Sequence, residues 1–335
     1  MVAANLLYAA IVALFVFGVL GHPRLSDEEF AEYKKLQLRD TEALSHCLQS
    51  PALQDIHSRM ALEHNATLHR LRAARGVQID DSPLVRRDRP DLLNWESQNH
   101  EHKEQSSQDP QKLWNFKWSD QPHKYGPESG CTLTPESIAG PYWLEGQPKR
   151  QNIKGGQSGI PLRLALQVID ISTCLPVHGA RVDIWHANAK GEYMSTSARG
   201  FLRGWQPTSV HGTVDYDTIF PGHYAGRATH IHTAVKPYDQ SHIAHFGMLY
   251  FDQSLISTVE AADPYIQNQE PIVLNKNDDF APSSSAVNYD PFVKYKLVGS
   301  HLEDGILAWI PIGVNLNNNH PPRRKRSLMD DHLDH

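Results

Sequence analysis

Between residues 161 and 314 apolar and polar positions alternate in short runs, each closed by a turn signal. PLRLALQVID (161–170) has the period of two that sends successive side chains to opposite faces of a strand. HGARVDIWHAN (178–188) follows a Cys-Leu-Pro turn and reads as the partner of that strand. GTVDYDTIFPG (212–222), RATHIHTAV (227–235) and HIAHFGMLYFD (242–252) repeat the pattern. NKNDDFA then reads as a loop, and YKLVGSHLEDGILAWIPIGV as a closing strand pair ending near Val314. Many short strands with no regular alternation of strand and helix predict a mainly β chain, a β-sandwich, with its helical part at the N-terminal side.

The first 160 residues are patterned differently. Leu6 to Leu20 is an apolar run too short to span a bilayer comfortably, and it reads as a secretory signal peptide (1–21) ending near Gly21. Residues 22–75 read as a helical pro-segment or accessory region. Ser26 to Glu29 fits a capping box, Phe30, Tyr33 and Leu36 follow at helical spacing, and a second helix carries Leu44, Cys47 and Leu48, with Pro51 interrupting or restarting it. Asn65-Ala-Thr67 is a glycosylation sequon. Residues 76–130 read as a polar, proline-punctuated linker in which Arg86-Arg87 is a processing site or a charge run. Trp114 and Trp118 are expected to pack on the domain that follows. The sandwich itself is placed at 131–315 and a disordered tail at 316–335, with a basic run at Arg323 to Arg326.

Charge narrows the partners. A formal net charge of −6, with no basic stripe interleaved with aromatics, gives no case for nucleic acid. The chain is expected to be extracellular and to have no membrane attachment once the leader is removed. Three cysteines in a secreted chain predict one disulfide. The sequence does not fix the pairing: Cys47–Cys131 would tie the helical segment to the sandwich, Cys131–Cys174 would staple the sandwich itself, and one thiol stays free in either case.

The candidate chemistry lies between Trp185 and His232. On a strand, His230 and His232 share a face while Ile231 points the other way into packing. Tyr193 follows Gly191 at the end of RVDIWH, and Tyr224 sits in the turn FPGHYAGR. Both tyrosines look exposed. Two phenolate oxygens and two imidazoles suit a ferric ion, and the segment holds no thiolate for a zinc ribbon or an iron–sulfur cluster. A bound trivalent cation favours the phenolate, and two phenolates with one hydroxide neutralise it. A histidine pair of this kind also occurs as plain packing, and a copper or manganese site built from His211, His223, His230 and His232 is a rival reading. His186 reads as a hydrogen-bonding structural histidine, and Asp215 and Asp217 as solvent-facing.

Three segments carry a resemblance: VDIWHANAKGEYMS (182–195), PGHYAGRATHIH (221–232) and LTPESIAGPYW (133–143). Together they resemble the intradiol ring-cleavage dioxygenases, the family of catechol 1,2-dioxygenase and protocatechuate 3,4-dioxygenase, and most of all its secreted fungal-type branch. The resemblance implies a β-sandwich with a non-heme Fe(III) between the sheets, held by Tyr193, Tyr224, His230 and His232. It implies an active-site arginine at Arg227 that stabilises charge on the ring, and a Tyr224 that leaves the metal and serves as a base. Tyr142 or Trp143 would line the substrate site. Met248 stands where relatives commonly carry a glutamine, and a thioether donates no hydrogen bond. The implied reaction opens a catechol-type aromatic diol between its two hydroxylated carbons with O2, giving cis,cis-muconate-type products. The second reading is a slow catechol- or iron-binding protein on the same fold. Nothing in the sequence selects among catechols.

Overall fold

A computed structural model of the chain describes residues 50–77 (the side chains of 53, 54, 57 and 58 excepted), 142–194, 200–239, 241–281 and 291–320, with a few isolated positions between 28 and 47 and at 137 and 140. The apolar leader, the capping box at Ser26, Phe30, Tyr33, Leu36, the linker with Arg86, Arg87, Trp114 and Trp118, Cys131 and the tail beyond His320 lie outside the described residues; the first residues expected in the tail are ordered, His320 bridging to Ile243. Among the described residues no helix is long and apolar enough to cross a membrane.

Among the described residues nine strands form two open sheets. In the first, β1 (Pro161–Asp170) is central: it pairs antiparallel with β2 (Leu175–Pro176) and β5 (Thr213–Ile219) and parallel with β9 (Ile306–Val314), whose other edge takes β8 (Lys294–Leu297). The second sheet has the order β4 (Arg203–Pro207), β3 (Arg181–Trp185), β6 (His230–Lys236) and β7 (His245–Tyr250), all antiparallel. The predicted strands are therefore present, including the closing pair, but one expected pairing fails. β3 is not the partner of β1. Only Leu175 and Pro176 stay beside β1; the chain then turns at Gly179, whose φ of 73° suits glycine, and β3 joins the opposite sheet.

Between the sheets lies one core. Leu162, Leu164, Leu166 and Val168 of β1 and Ile306, Ala308, Ile310 and Ile312 of β9 meet Val182, Ile184, Ile231, Val235 and Leu249 from the other sheet. The short helix α2 (Gln253–Glu260) adds Leu255, Ile256 and Val259 to the same core. Each such side chain removed from water contributes about 1.5–3 kcal/mol, which makes this layer the main source of stability.

β1 is buried on both faces because a second helix, α1 (Pro51–Arg75), covers the outside of its sheet. Ala61, Leu68 and Leu71 pack on Ala165, Leu307, Trp309 and Val298, and Arg72 Nε donates to the Val298 carbonyl at 2.9 Å. Pro51 restarts the helix rather than breaking it, since the first helical position needs no N–H. Gly76 ends it in a left-handed conformation, φ 64°. The one disulfide expected is present among the described residues, in neither of the two pairings considered: Cys47 is bonded to Cys174, so the helical segment is tied to the turn between β1 and β2. Spacing along the chain carries no information about which turn lies beneath the helix. Asp215 and Asp217 are not simply solvent-facing either: both are about two-thirds covered and clamp Arg163 of β1, at 3.5 and 2.8 Å.

Candidate metal centre

Strand register sets the site. Trp185 stands opposite both Arg203 and His232, and His232 opposite Met248, so Arg203, Trp185, His232 and Met248 form one row across β4, β3, β6 and β7. Ile231, of opposite parity, enters the core between the sheets. His230 and His232 thus share a face as expected, but it is the face turned away from the five-stranded sheet. The position between the sheets implied by the resemblance is corrected: the inter-sheet space is filled with aliphatic side chains, and the histidines lie under loops on the far side.

Those loops bring the tyrosines. After β3 the chain turns at Asn188, whose side-chain oxygen accepts from the amides of Lys190 and Glu192, and at Gly191, with φ 82°. A Cβ on Gly191 would run into the carbonyl of His223, and one on Gly222 would stand 2.5 Å from the Asn188 carbonyl. The loops carrying Tyr193 and Tyr224 are therefore packed backbone to backbone, at a separation only glycine permits. Neither tyrosine is exposed in the way the sequence suggests: Tyr224 is 3% accessible and Tyr193 is half-buried with its hydroxyl enclosed.

All four predicted ligands converge. His230 Nε2 lies 3.0 Å from His232 Nε2 and 3.4 Å from the Tyr224 hydroxyl. The Tyr193 ring is 5.1 Å from Tyr224 and 6.4 Å from His232, centroid to centroid. His230 Nδ1 sits 2.7 Å from the Ala228 carbonyl, to which it donates, so Nε2 offers its lone pair to the site. Burial, reinforced by the positive Arg227, lowers the His230 pKa to about 3 and keeps the ring neutral. The His232 ring is held flat against Trp185, with centroids 5.0 Å apart and planes within 5°.

The donor set fits a small, hard, highly charged cation. Two donors about 2.1 Å from one ion stand about 3.0 Å apart at a right angle and about 3.4 Å apart at the tetrahedral angle. The observed separations are those two edges. Tyr193 adds a buried hydroxyl with no hydrogen-bond partner, an arrangement that costs about 1–3 kcal/mol unless something binds there. Burial raises the pKa of both tyrosine hydroxyls, with Arg227 opposing it in each, so alone they are neutral phenols. A multivalent cation reverses that preference. Among the described residues no three His, Cys, Asp or Glu side chains come together, so the tyrosines are needed to complete any site. This removes the all-histidine reading. His211 is exposed in a turn, and His223 directs its two ring nitrogens to Glu260 and the Glu270 carbonyl, at 2.7 and 2.9 Å. His186, bonded to Thr218 and the Ala187 carbonyl, is structural as expected.

No family model matches the chain, and no curated protein matches it. Solved structures do. An intradiol ring-cleavage dioxygenase from Tetranychus urticae is 30% identical, with a TM-score of 0.51 over 57% of this chain and 98% of its own. A second dioxygenase gives 29%, 0.49, 57% and 98%, and the dioxygenase domain of a carbohydrate-binding fusion from Streptomyces sp. SirexAA-E gives 24%, 0.40, 55% and 99%. The chain belongs to the intradiol ring-cleavage dioxygenase family.

Around the four convergent residues this dioxygenase carries a second set that sequence reasoning saw only in part. Arg227 is buried beside Tyr224, with Nη1 donating to its hydroxyl at 3.3 Å. It is no surface salt bridge: Asp278 takes Nε at 2.8 Å and Nη2 at 3.2 Å, both side chains being almost wholly enclosed. Asp278 also accepts from the amides of Ala228, Phe280 and Ala281 and from the Tyr250 hydroxyl. Burial would raise its pKa, but the Arg227 guanidinium overrides burial and holds the carboxylate well below its usual range. Asp278 lies in NKNDDFA, read only as a loop, and nothing in its spacing pointed to Arg227. Met248 is fully buried, and its sulfur accepts from Arg227 Nη2 at 3.2 Å and lies 3.4 Å from the Tyr250 oxygen. Tyr142 stacks on Tyr193 at 4.2 Å and 7° and stands edge-on to Tyr224 at 5.9 Å. Trp143 is displaced along the face, edge-on to Phe246 with the Lys236 ammonium over its ring.

Proposed function

We propose that this chain is a secreted, iron-dependent member of its family that opens catechol-type aromatic diols between the two hydroxylated carbons, consuming O2 and releasing cis,cis-muconate-type products. The observation that carries the reading is the convergence of His230, His232 and Tyr224 at 3.0 and 3.4 Å, with the Tyr193 ring edge-on to Tyr224 and its buried hydroxyl without a partner. An Fe(III) held by these four side chains would supply Lewis acidity that favours the deprotonated diol and draws electron density from its ring, opening it to O2.

The chain's own residues do the rest. Tyr224 is placed to take a diol proton at its oxygen, because Arg227 Nη1 is already within 3.3 Å to orient that oxygen in either protonation state. Arg227 cannot swing toward a substrate freely, since Asp278, Tyr250 and Met248 hold its other nitrogens. It acts in place, on Tyr224 and on negative charge developing beside it. Met248 offers substrate a soft, apolar wall, as its sulfur is engaged as an acceptor. Tyr142, half-buried, closes the side next to Tyr193. Trp185 fixes the plane of His232. Secretion is supported by the apolar leader and by the Cys47–Cys174 disulfide, which persists in oxidising compartments. The Asn65 sequon adds little, since it lies half-buried within α1 with its oxygen enclosed.

The test is the visible spectrum of the purified, iron-loaded protein, taken without oxygen before and after catechol and then in air. Tyrosinate-to-iron charge transfer should colour the resting protein, catechol should move the band to longer wavelength, and air should reverse that shift as muconate absorbance grows. Colour and shift without consumption would leave a binding protein. No colour at stoichiometric iron would remove the tyrosinate centre.

A further inference from the structure

The row that carries His232 begins at Arg203, which the chemistry above does not use. Arg203 is 1% accessible, and among the described residues no carboxylate pairs with it. A buried cation without a counter-charge costs several kcal/mol, so its place needs a reason. Its guanidinium makes two bonds: Nη1 donates to the Tyr142 carbonyl at 3.2 Å and Nη2 to the Met194 carbonyl at 2.7 Å. Those carbonyls belong to segments far apart in sequence, and each lies at or next to one member of the Tyr142–Tyr193 stack. Arg203 is itself pinned. Its carbonyl accepts from Arg150 Nε and Nη2 at 3.0 and 2.7 Å, and its strand is paired to Trp185.

Tyr193 is held through its ring rather than its oxygen. Its hydroxyl has no partner, and its ring rests on Tyr142 and stands edge-on to Tyr224. We propose that Arg203 is a positioning residue: by gripping the Tyr142 and Met194 carbonyls with one planar fork, it locks the two tyrosines in register and fixes the direction from which Tyr193 enters the centre. A lysine carries the same charge but no planar fork, so it cannot span both carbonyls in a fixed plane. The proposal rests on the reading of Tyr193 as a metal ligand.

The experiment compares the full chain with Arg203→Lys, Arg203→Met and, as a reference for a broken stack, Tyr142→Leu. Near-UV circular dichroism of the iron-free proteins reports the stack, and the rate of iron loss to excess chelator reports the grip on Tyr193. Arg203→Lys should reproduce the near-UV change of Tyr142→Leu with an unchanged far-UV spectrum, and it should lose iron about 10- to 100-fold faster, as when groups that orient metal ligands are removed. A Lys variant with wild-type near-UV signal and wild-type iron loss would overturn the proposal. So would a lost stack with unchanged iron loss. If Arg203→Met fails to fold, the Lys variant decides. If the wild type itself takes up no iron, the proposed function falls, and the near-UV comparison still tests the stack separately.

Discussion

Replacing Asp278 with Asn tests the whole support of the site with a change of one atom. Every partner of this carboxylate is a donor: Arg227 Nε and Nη2, the Tyr250 hydroxyl, and the amides of Ala228, Phe280 and Ala281. Asn keeps one acceptor oxygen and turns an NH2 group toward the remaining donors. If the oxygen stays with Phe280, Ala281 and Tyr250, the NH2 faces Arg227 Nε and the Ala228 amide. If it flips, the NH2 faces the other set. Arg227 also loses its counter-charge inside the protein. Breaking one side of a buried pair costs about 3–5 kcal/mol. For a domain of this size that corresponds to a fall in Tm of about 6–20 °C.

Thermal and urea unfolding of the iron-free protein measure this directly. The double variant Arg227→Leu/Asp278→Leu should be less destabilised than Asp278→Asn, because it leaves no unpaired charge. The pH profile gives a second check. The folded-state pKa of Asp278 lies below its unfolded value, so its contribution is fully present above about pH 4–5 and is lost as pH falls through the folded value. The acid arm of the stability profile should therefore be shallower in Asp278→Asn than in wild type. A single variant within about 1 kcal/mol of wild type, or an acid arm as steep as before, would refute the reasoning, since no rearrangement of Asn satisfies six donors.

Tyr193→Phe removes the unpartnered hydroxyl: the iron-free protein should be stabilised or unchanged, while charge-transfer colour is lost on iron loading, as calorimetry and the visible spectrum would show. Cys47→Ser/Cys174→Ser opens a loop of 127 residues and should cost about 3–5 kcal/mol in urea unfolding, with smaller loss at the centre than on the helical side. Gly191→Ala forces a side chain into a left-handed backbone and against the His223 carbonyl; it should destabilise by about 1–3 kcal/mol and weaken iron retention, because the two tyrosine loops must part.

What was legible in the sequence depended on how far apart the interacting residues lie. The parity of His230, Ile231 and His232 is fixed by one strand, so the shared face was readable at once. Which side of the sheet that face would take was not, because it depends on where β9 and β5 pack; the placement between the sheets came from the resemblance alone. β3 was assigned to β1 because consecutive strands usually pair, and two residues at Leu175–Pro176 followed by Gly179 were enough to send it across. The four convergent side chains came from motifs within a single stretch, while two of the groups that support them came from outside it: Asp278 some fifty residues beyond Arg227, and the Tyr142 carbonyl sixty before Arg203. Their side chains carry no local pattern, since an aspartate in an acidic loop and an arginine on a short strand look like surface residues until the fold buries them.

That division has a physical basis. A donor set needs only the right atoms at one point, and strand parity with two glycine turns suffices to deliver them. Holding those atoms still is a different requirement, because a phenol on a loop has rotational freedom that a cation alone does not remove without loss of affinity. Here the two histidines are fixed by Trp185 and the Ala228 carbonyl, Tyr224 is oriented by Arg227 on Asp278, and Tyr193 by its stack with Tyr142. The two buried arginines then differ in a way that assigns them different work. Arg227 is neutralised by a carboxylate and presents one N–H to Tyr224, whereas Arg203 has no carboxylate among the described residues and spends its fork on two backbone carbonyls. Loss of Arg227 should therefore fall on turnover, and loss of Arg203 on the retention of iron.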